Sequence, residues 1–561
     1  MRTTFFIMNI KTDQLKNHMM ILSILFLVFV ANKSQCQQLF LSMEKQSMFQ
    51  YESKLNNKNF LFHTSFKPYV LSSLPLECKT DSVYSWMKIY RRPNKIIGAL
   101  YFHITDYDFI HIEDDDFKLT INPYFDFEIG KDFNWDRTIY INSRGAIIKG
   151  DIGSKFSFET YFSENQSLLP KYITNFVRDS NVVPGMGRAI RFKNDQSYDY
   201  ASGFGYISYT PSKHFNFQFG QDKIFIGDGY RSLLLSDNSV SYPLLKITTT
   251  AGRFQYTNMW AQMLDKREKA ILGEGFRRKY LALHHLSILL GNSFEFGFYE
   301  AIVWQAQDSF SYRGFDISYL NPIIYYHSVQ WNLGSPDNSL IGTTFKWKIS
   351  NNLSFYNQFL LDDFDLAKSK DKKGFYRNKY AYQLGINYFC AFGLKGLFIQ
   401  AEYNEVWPYT YAHKLPVQNY AHYNQPLAHP LGANFREGLL FLQYSFNRWF
   451  TGVELMYVLT GIDSASGNVG QNVYLSEFLI PNSIDINGKF VGSYGNYVGQ
   501  GISSSTLYLQ LKLNYLINKY NNLRAEISYT YRSQIIEGIS NNTNFITFGI
   551  KTSLFNHYYD F

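Results

Sequence analysis

The side chains best suited to hold a ligand lie between Gly220 and Ile247, in GQDKIFIGDGYRSLLLSDNSVSYPLLKI. Asp228, Asp237 and Asn238 bring carboxylate and amide oxygens, Arg231 a planar guanidinium, and Tyr230 and Tyr242 flat phenol faces. Such a set suits a ligand dense in hydroxyl groups, with polar heads bonding its oxygens and rings stacking on its faces. Gly227 and Gly229 allow a sharp turn just before the polar run. The same groups could instead satisfy one another in a loop folded into a lumen.

Catalytic and metal chemistry are poorly supplied. Ser236-Asp237-Asn238 lacks the Ser-x-x-Lys partner that would make it an acylating centre. His284 and His285 are adjacent, so on a strand their imidazoles point to opposite faces and serve no single metal. His413, His422 and His429 fall in YTYAHKLPVQNYAHYNQPLAHP, together with Tyr409, Tyr411, Tyr420 and Tyr423 and just after Trp407. Read as an extracellular loop, that stretch offers imidazoles to a metal or rings to a glycan. Glu113 to Asp116 read as a solvated turn, because consecutive carboxylates diverge on an extended chain. Asp362, Asp363 and Asp365 with Lys368, Lys370, Lys372 and Lys373 read as a solvated hairpin loop. The expectation is a chain that is not an enzyme, with no metal and no cofactor.

The elements that position these residues are strands. In Leu507–Leu516, LYLQLKLNYL, apolar residues at 507, 509, 511 and 513 alternate with Tyr508, Gln510, Lys512 and Asn514. The rhythm returns in Phe125-Phe127-Ile129, Phe215-Phe217-Phe219, Phe294-Phe296-Phe298 and Ile341 to Ile349. Lys346, Lys348, Glu402, Lys512, Arg524 and Glu526 all lie on the face opposite the apolar row. A charge facing lipid near the midplane costs roughly 2–4 kcal/mol, whereas a wet lumen accepts it. Aromatic residues make up 18% of the chain, with 50 Phe and 45 Tyr, while mean hydropathy is only -0.24. Runs of about twenty apolar residues, as a helical membrane protein needs, do not occur. These features predict an all-β chain, a transmembrane antiparallel β-barrel of roughly 16–18 strands over residues 116–561. An aromatic-rich last strand carries Ile546, Phe548, Ile550 and Leu554; the alternation slips near Phe555, so the tail HYYDF either overhangs that strand or belongs to a longer one.

Residues 1–36 read as a cleaved leader: Lys11 and Lys16, an apolar core from Met19 to Ala31, then Ser34 and Cys36 before the cut. Residues 37–115 are irregular or partly helical and read as a periplasmic or barrel-capping segment. Cys78 and Cys390 then remain far apart, with no disulfide framework. A net charge of +8 suits anionic lipid or polysaccharide and carries no nucleic-acid signature.

The Gly220–Ile247 segment resembles the signature of the Wzi-type capsule-assembly family of outer-membrane barrels, which has a glycine-rich turn, a Ser-Leu run, an Asp-Asn or Ser-Asn pair and a proline. Here the family's Trp-Gly-Pro-Gly turn is Ile226-Gly227-Asp228-Gly229, a departure that points to a divergent branch. NSRGAIIKGDIG (142–153), YFSENQ (161–166), VVPGMGR (182–188) and SGFGYISYTPSKHFNFQFG (202–220) are similar to the gliding-motility, RemB-type proteins related to it. The resemblance implies eighteen strands, the outer membrane with its lipid and lipopolysaccharide as surroundings, and a role in binding or anchoring surface polysaccharide beside gliding-motility machinery. A porin-like channel for small or apolar solutes is the competing expectation.

Overall fold

The computed structural model describes residues 38–78, 105, 107–192, 196–269, 275–308, 311–370, 373–463, 467–481, 483–484 and 490–561. The leader expected over 1–36 lies outside them. Eighteen antiparallel strands close into one barrel: β1 Phe117–Asp132, β2 Arg137–Ile152, β3 Phe156–Leu168, β4 Ser197–Ser212, β5 Phe215–Asp222, β6 Tyr242–Ala251, β7 Phe254–Lys269, β8 Phe276–Leu290, β9 Phe294–Gln305, β10 Asn338–Lys348, β11 Leu353–Asp363, β12 Lys379–Phe389, β13 Leu397–Val406, β14 Phe435–Phe446, β15 Trp449–Ile462, β16 Ile502–Asn518, β17 Leu523–Ile536 and β18 Ile539–Thr552. The seam is β18 on β1, with Phe548 opposite Ile129 and Ile550 opposite Phe127. No described helix is long and apolar enough to cross a membrane, and the strands do the spanning.

Alternation sets the two faces of the wall. Leu507, Leu511 and Leu513 of β16 are exposed on the outside, while Tyr508 and Asn514 are buried within. Lys346, Lys348, Glu402 and Arg524 are likewise buried on the inside. The two ends of the barrel differ. Turns at 213–214, 252–253 and 447–448 mark one end, and the connections 169–196, 223–241, 306–337, 407–434 and 463–501 mark the other. Short turns belong to the periplasmic side of such barrels and long loops to the extracellular side.

The lumen is filled from both ends. From the short-turn end, residues 38–78 enter the barrel, where Gln38 N–H donates to Ser157 Oγ (3.0 Å). Helix α1, Lys45–Leu55, follows. Glu44 caps it by accepting from Gln46 N (3.0 Å) and Ser47 N (2.9 Å), and is anchored by Arg524 at 3.0 Å. Phe66 and Lys67 then pair with Ile226 and Phe225 of the 223–241 connection. From the long-loop end, Leu233, Leu234 and Leu235 pack with Phe66, Tyr411, Tyr420 and Leu427 and with inward-facing Leu281, Leu283, Leu340 and Leu360. Among the described residues, the centre of the lumen is thus packed with hydrophobic side chains.

The last strand stops at Thr552, just before the slip in alternation near Phe555, so the tail overhangs it. Residues 553–561 turn inward and run up the lumen to helix α2, Lys171–Ser180. Phe561 packs there on Tyr172 and Phe176, and Arg532 Nε donates to its carbonyl (2.8 Å). Asn556, Tyr558 and Asp560 find polar partners inside, which an outward strand could not offer.

Candidate functional site

The six residues singled out between Gly220 and Ile247 all lie inside the barrel, but on separate partners: among their side chains only those of Tyr230 and Arg231 touch. The turn at Gly227 and Gly229 brings backbone against the wall: a Cβ on Gly227 would meet Gln358 Nε2 at 2.0 Å, and one on Gly229 would meet Glu402 Oε2 at 2.4 Å. Glu402 accepts from the amides of Tyr230 (2.8 Å) and Arg231 (3.1 Å). Ser232 Oγ accepts from the amides of Leu234 and Leu235 (both 3.2 Å), rounding off the turn that buries the leucines.

Arg231 is the hub. Its guanidinium, 1% exposed, lies 3.1 Å from Glu437 and 3.0 Å from Asp560. Asp560 also accepts from Tyr230 Oη (2.9 Å), and the second oxygen of Glu437 meets His429 Nε2 at 2.7 Å and Asn404 Nδ2 at 2.9 Å. Burial would discharge the arginine, but its two carboxylates hold its pKa well above the ordinary value. Asp228 accepts from Lys346 Nζ (2.8 Å) and Thr64 Oγ1 (2.7 Å). Burial raises its pKa, and the Lys346 and Lys67 ammoniums outweigh that and hold it below the usual carboxylate range. Asp237 accepts from Tyr558 Oη (2.7 Å) and Asn556 Nδ2 (2.8 Å), and Asn238 Nδ2 donates to Pro426 O (3.0 Å). Tyr242 is fully buried, with its ring edge-on to His422. The polar heads of the other five are thus met by the chain itself, chiefly by wall strands, the C-terminal tail and residue Thr64.

Other expectations move with the loops. The 407–434 connection does not stand outside: Tyr411 and Tyr420 are buried in the lumen around Leu233–Leu235, and Tyr409 is buried against the 463–501 connection, its Oη donating to Asn468 O (2.8 Å). Its three histidines diverge. His413 Nδ1 accepts from Leu415 N (3.2 Å), His422 Nδ1 from Leu264 N (3.0 Å), and His429 turns to Glu437. Burial, aided by nearby Lys379 and Lys279, pushes His413 and His422 down to about 3. Among the described residues, no His, Cys, Asp and Glu group is arranged to hold a metal. His284 faces out and His285 in, as adjacency on a strand requires. Asp362 is not in a solvated loop but buried, 3.3 Å from Lys379.

Sequence reasoning missed Glu437, Lys346, Thr64 and Asp560 as partners of the segment. Only the inward register of Lys346 signalled one of them. A cavity of about 290 Å³ remains beside the network, between α1, the tail and β15–β18, bordered by Lys45, Asp126, Glu454 and Lys512. At the long-loop end, connections 364–378 and 463–501 clasp each other through Gly495 N to Lys373 O (2.6 Å) and Asn496 N to Gly374 O (3.1 Å). They assemble half-exposed rings: Phe375 lies 5.0 Å from Tyr376 and 5.3 Å from Tyr494.

Fold and interior together define an outer-membrane β-barrel with a filled lumen. No protein-family model matches the chain, and no curated protein matches it either. Among solved structures, the fold is similar to that of Wzi, an outer-membrane protein involved in group 1 capsule assembly in Escherichia coli and described as a carbohydrate-binding β-barrel. The TM-score is 0.52 at 13% identity, over 92% of this chain and 99% of that one. OprD of Pseudomonas aeruginosa (TM-score 0.40, 9% identity, 77% and 94% covered) and OccAB2 of Acinetobacter baumannii (0.40, 8%, 77% and 97%) are more distant.

Proposed function

We propose that this protein binds or anchors surface polysaccharide at the outer membrane, in the gliding-motility branch of the capsule-assembly group that its 142–247 motifs resemble. On this reading it is a binding protein and not an enzyme, exported by a leader cleaved after Cys36, with surface polysaccharide and motility machinery as partners. The observation that carries the reading is the filled lumen: an interior closed by a hydrophobic centre and the Arg231 network suits a surface platform better than a solute channel. The likeness in fold to a carbohydrate-binding barrel supports it.

The residues that touch glycan then belong to the long-loop end. The half-exposed Phe375, Tyr376 and Tyr494 offer stacking faces to solvent, whereas Tyr230 and Arg231 hold the platform beneath. The test is a glycan array with the purified barrel. Wild type should retain acidic or neutral polysaccharide, and Tyr376→Ala with Tyr494→Ala should weaken binding at least about tenfold, the scale of 1.4 kcal/mol. No retention by wild type sinks the function, and undiminished binding by the double variant sinks the site.

A further inference from the structure

The connection from β9 to β10 is described over 306–308 and 311–337. It folds back over the outside of the wall. Helix α3, Tyr326–Leu333, and the short turn Ile317–Leu320 bury Tyr319, Tyr326 and Val329 against Trp260, Ala282 and Trp304. Those wall positions point outward, since their strand neighbours Leu281, Leu283 and Val303 belong to the lumenal core. Trp260 Nε1 donates to Tyr319 O (2.8 Å), and Tyr256 Oη to Pro322 O (2.7 Å). The His284 ring lies 4.0 Å from that of Tyr326, and Glu300 accepts from His327 N (3.0 Å). Arg313 to Asp337 (2.8 Å) pins the two feet together. The segment therefore shields polar His284 and Glu300 where the wall would otherwise face hydrocarbon.

Its far side is apolar. Ile317, Ile323 and Trp331 are 77%, 84% and 80% exposed. From Phe315 to Leu333, FDISYLNPIIYYHSVQWNL, Asp316 is the one residue among Asp, Glu, Lys and Arg, and it is paired with Arg313 at 2.7 Å. The water-facing connection 364–378 has the contrasting composition FDLAKSKDKKGFYRN. Depth agrees: Tyr256, which holds Pro322, is in register through Leu286 with Phe298, an exposed residue of the lipid-facing band. Helical turns at 317–320 and 326–333 satisfy part of the backbone internally, and between them Ile323 N donates to Asn321 Oδ1 (3.1 Å) while Pro322 O takes the Tyr256 hydroxyl, as chain in hydrocarbon requires.

We infer that residues 315–333 are an intramembrane strap whose outer face is covered by lipid acyl chains. The inference rests on the outer-membrane reading. It is tested by nitroxide labels on full-length protein in phospholipid vesicles, with the native cysteines replaced by serine. Ile317→Cys and Ile323→Cys are compared with a wall control, Phe548→Cys, and a water control, Lys373→Cys. Labels at 317 and 323 should collide with oxygen far more than with a nickel chelate, matching 548. Nickel access matching 373 overturns the strap alone, and nickel access at 548 overturns the membrane reading with it. Occlusion of 317 and 323 from both reagents in native outer membranes means a protein covers the face, which also overturns the proposal.

Discussion

Arg231 shows what a buried ion network demands of a single side chain. Its guanidinium answers Glu437 and Asp560 at once, and Tyr230 and His429 complete their hydrogen bonding. Arg231→Ala would leave two buried carboxylates facing each other without a cation. Loss of one partner from such a buried set costs about 3–5 kcal/mol, and urea unfolding in detergent should show it. Arg231→Lys should recover part of the loss, since it restores charge without the planar fork. The segment holding Arg231 was readable as a chemical cluster because its residue types are unusual together. The direction of its hydrogen bonds was not readable, because Glu437 and Asp560 lie more than two hundred residues away and no local pattern ties them to Arg231.

Elements were legible where period alone decides, and opaque where direction does. LYLQLKLNYL specifies a strand with one oily face, and the wall confirms it at Leu507, Leu511 and Leu513. The 407–434 connection shows the limit. Its Pro and Tyr content says loop, yet nothing in it says inward, because the apolar partner that draws it in, Leu233–Leu235, sits on another connection. The direction of the tail after Thr552 was hidden for the same reason: the alternation slips near Phe555, and nothing local in HYYDF says inward. Burial of the 407–434 histidines has a consequence for acid stability. Unfolded, His413 and His422 titrate near 6.5; folded, near 3. As pH falls through that window the unfolded loop takes up protons that the folded loop refuses. Its stability is therefore complete above about 6.5 and declines towards 3. Hydrogen-exchange protection of 407–434, taken relative to the intrinsic rate at each pH, should be lower at pH 5 than at pH 7.5, and the difference should shrink in a His413→Gln, His422→Gln double variant.

At the scale of the whole molecule, eighteen strands enclose enough space for a pore, and at least four segments of the chain, 407–434 among them, fold into it. Residues 38–78, 223–241 and 553–561 meet around the Arg231 and Asp228 contacts. Planar-bilayer recordings of the purified barrel should show no steady open conductance, and a large stable current would restore the channel reading. Barrel architecture was predictable from a summed alternation over four hundred residues. Occlusion was not, because filling a lumen depends on which loops turn in.

One small ladder joins the two sides of the membrane. Residues 38–78 are rooted at the short-turn rim, and the 223–241 connection hangs from the opposite rim, yet Phe66 and Lys67 pair directly with Ile226 and Phe225, and Thr64 holds Asp228. The N-terminal segment and a connection of the opposite rim thus share one hydrogen-bonded path through the bore, so loosening either one removes partners from the other.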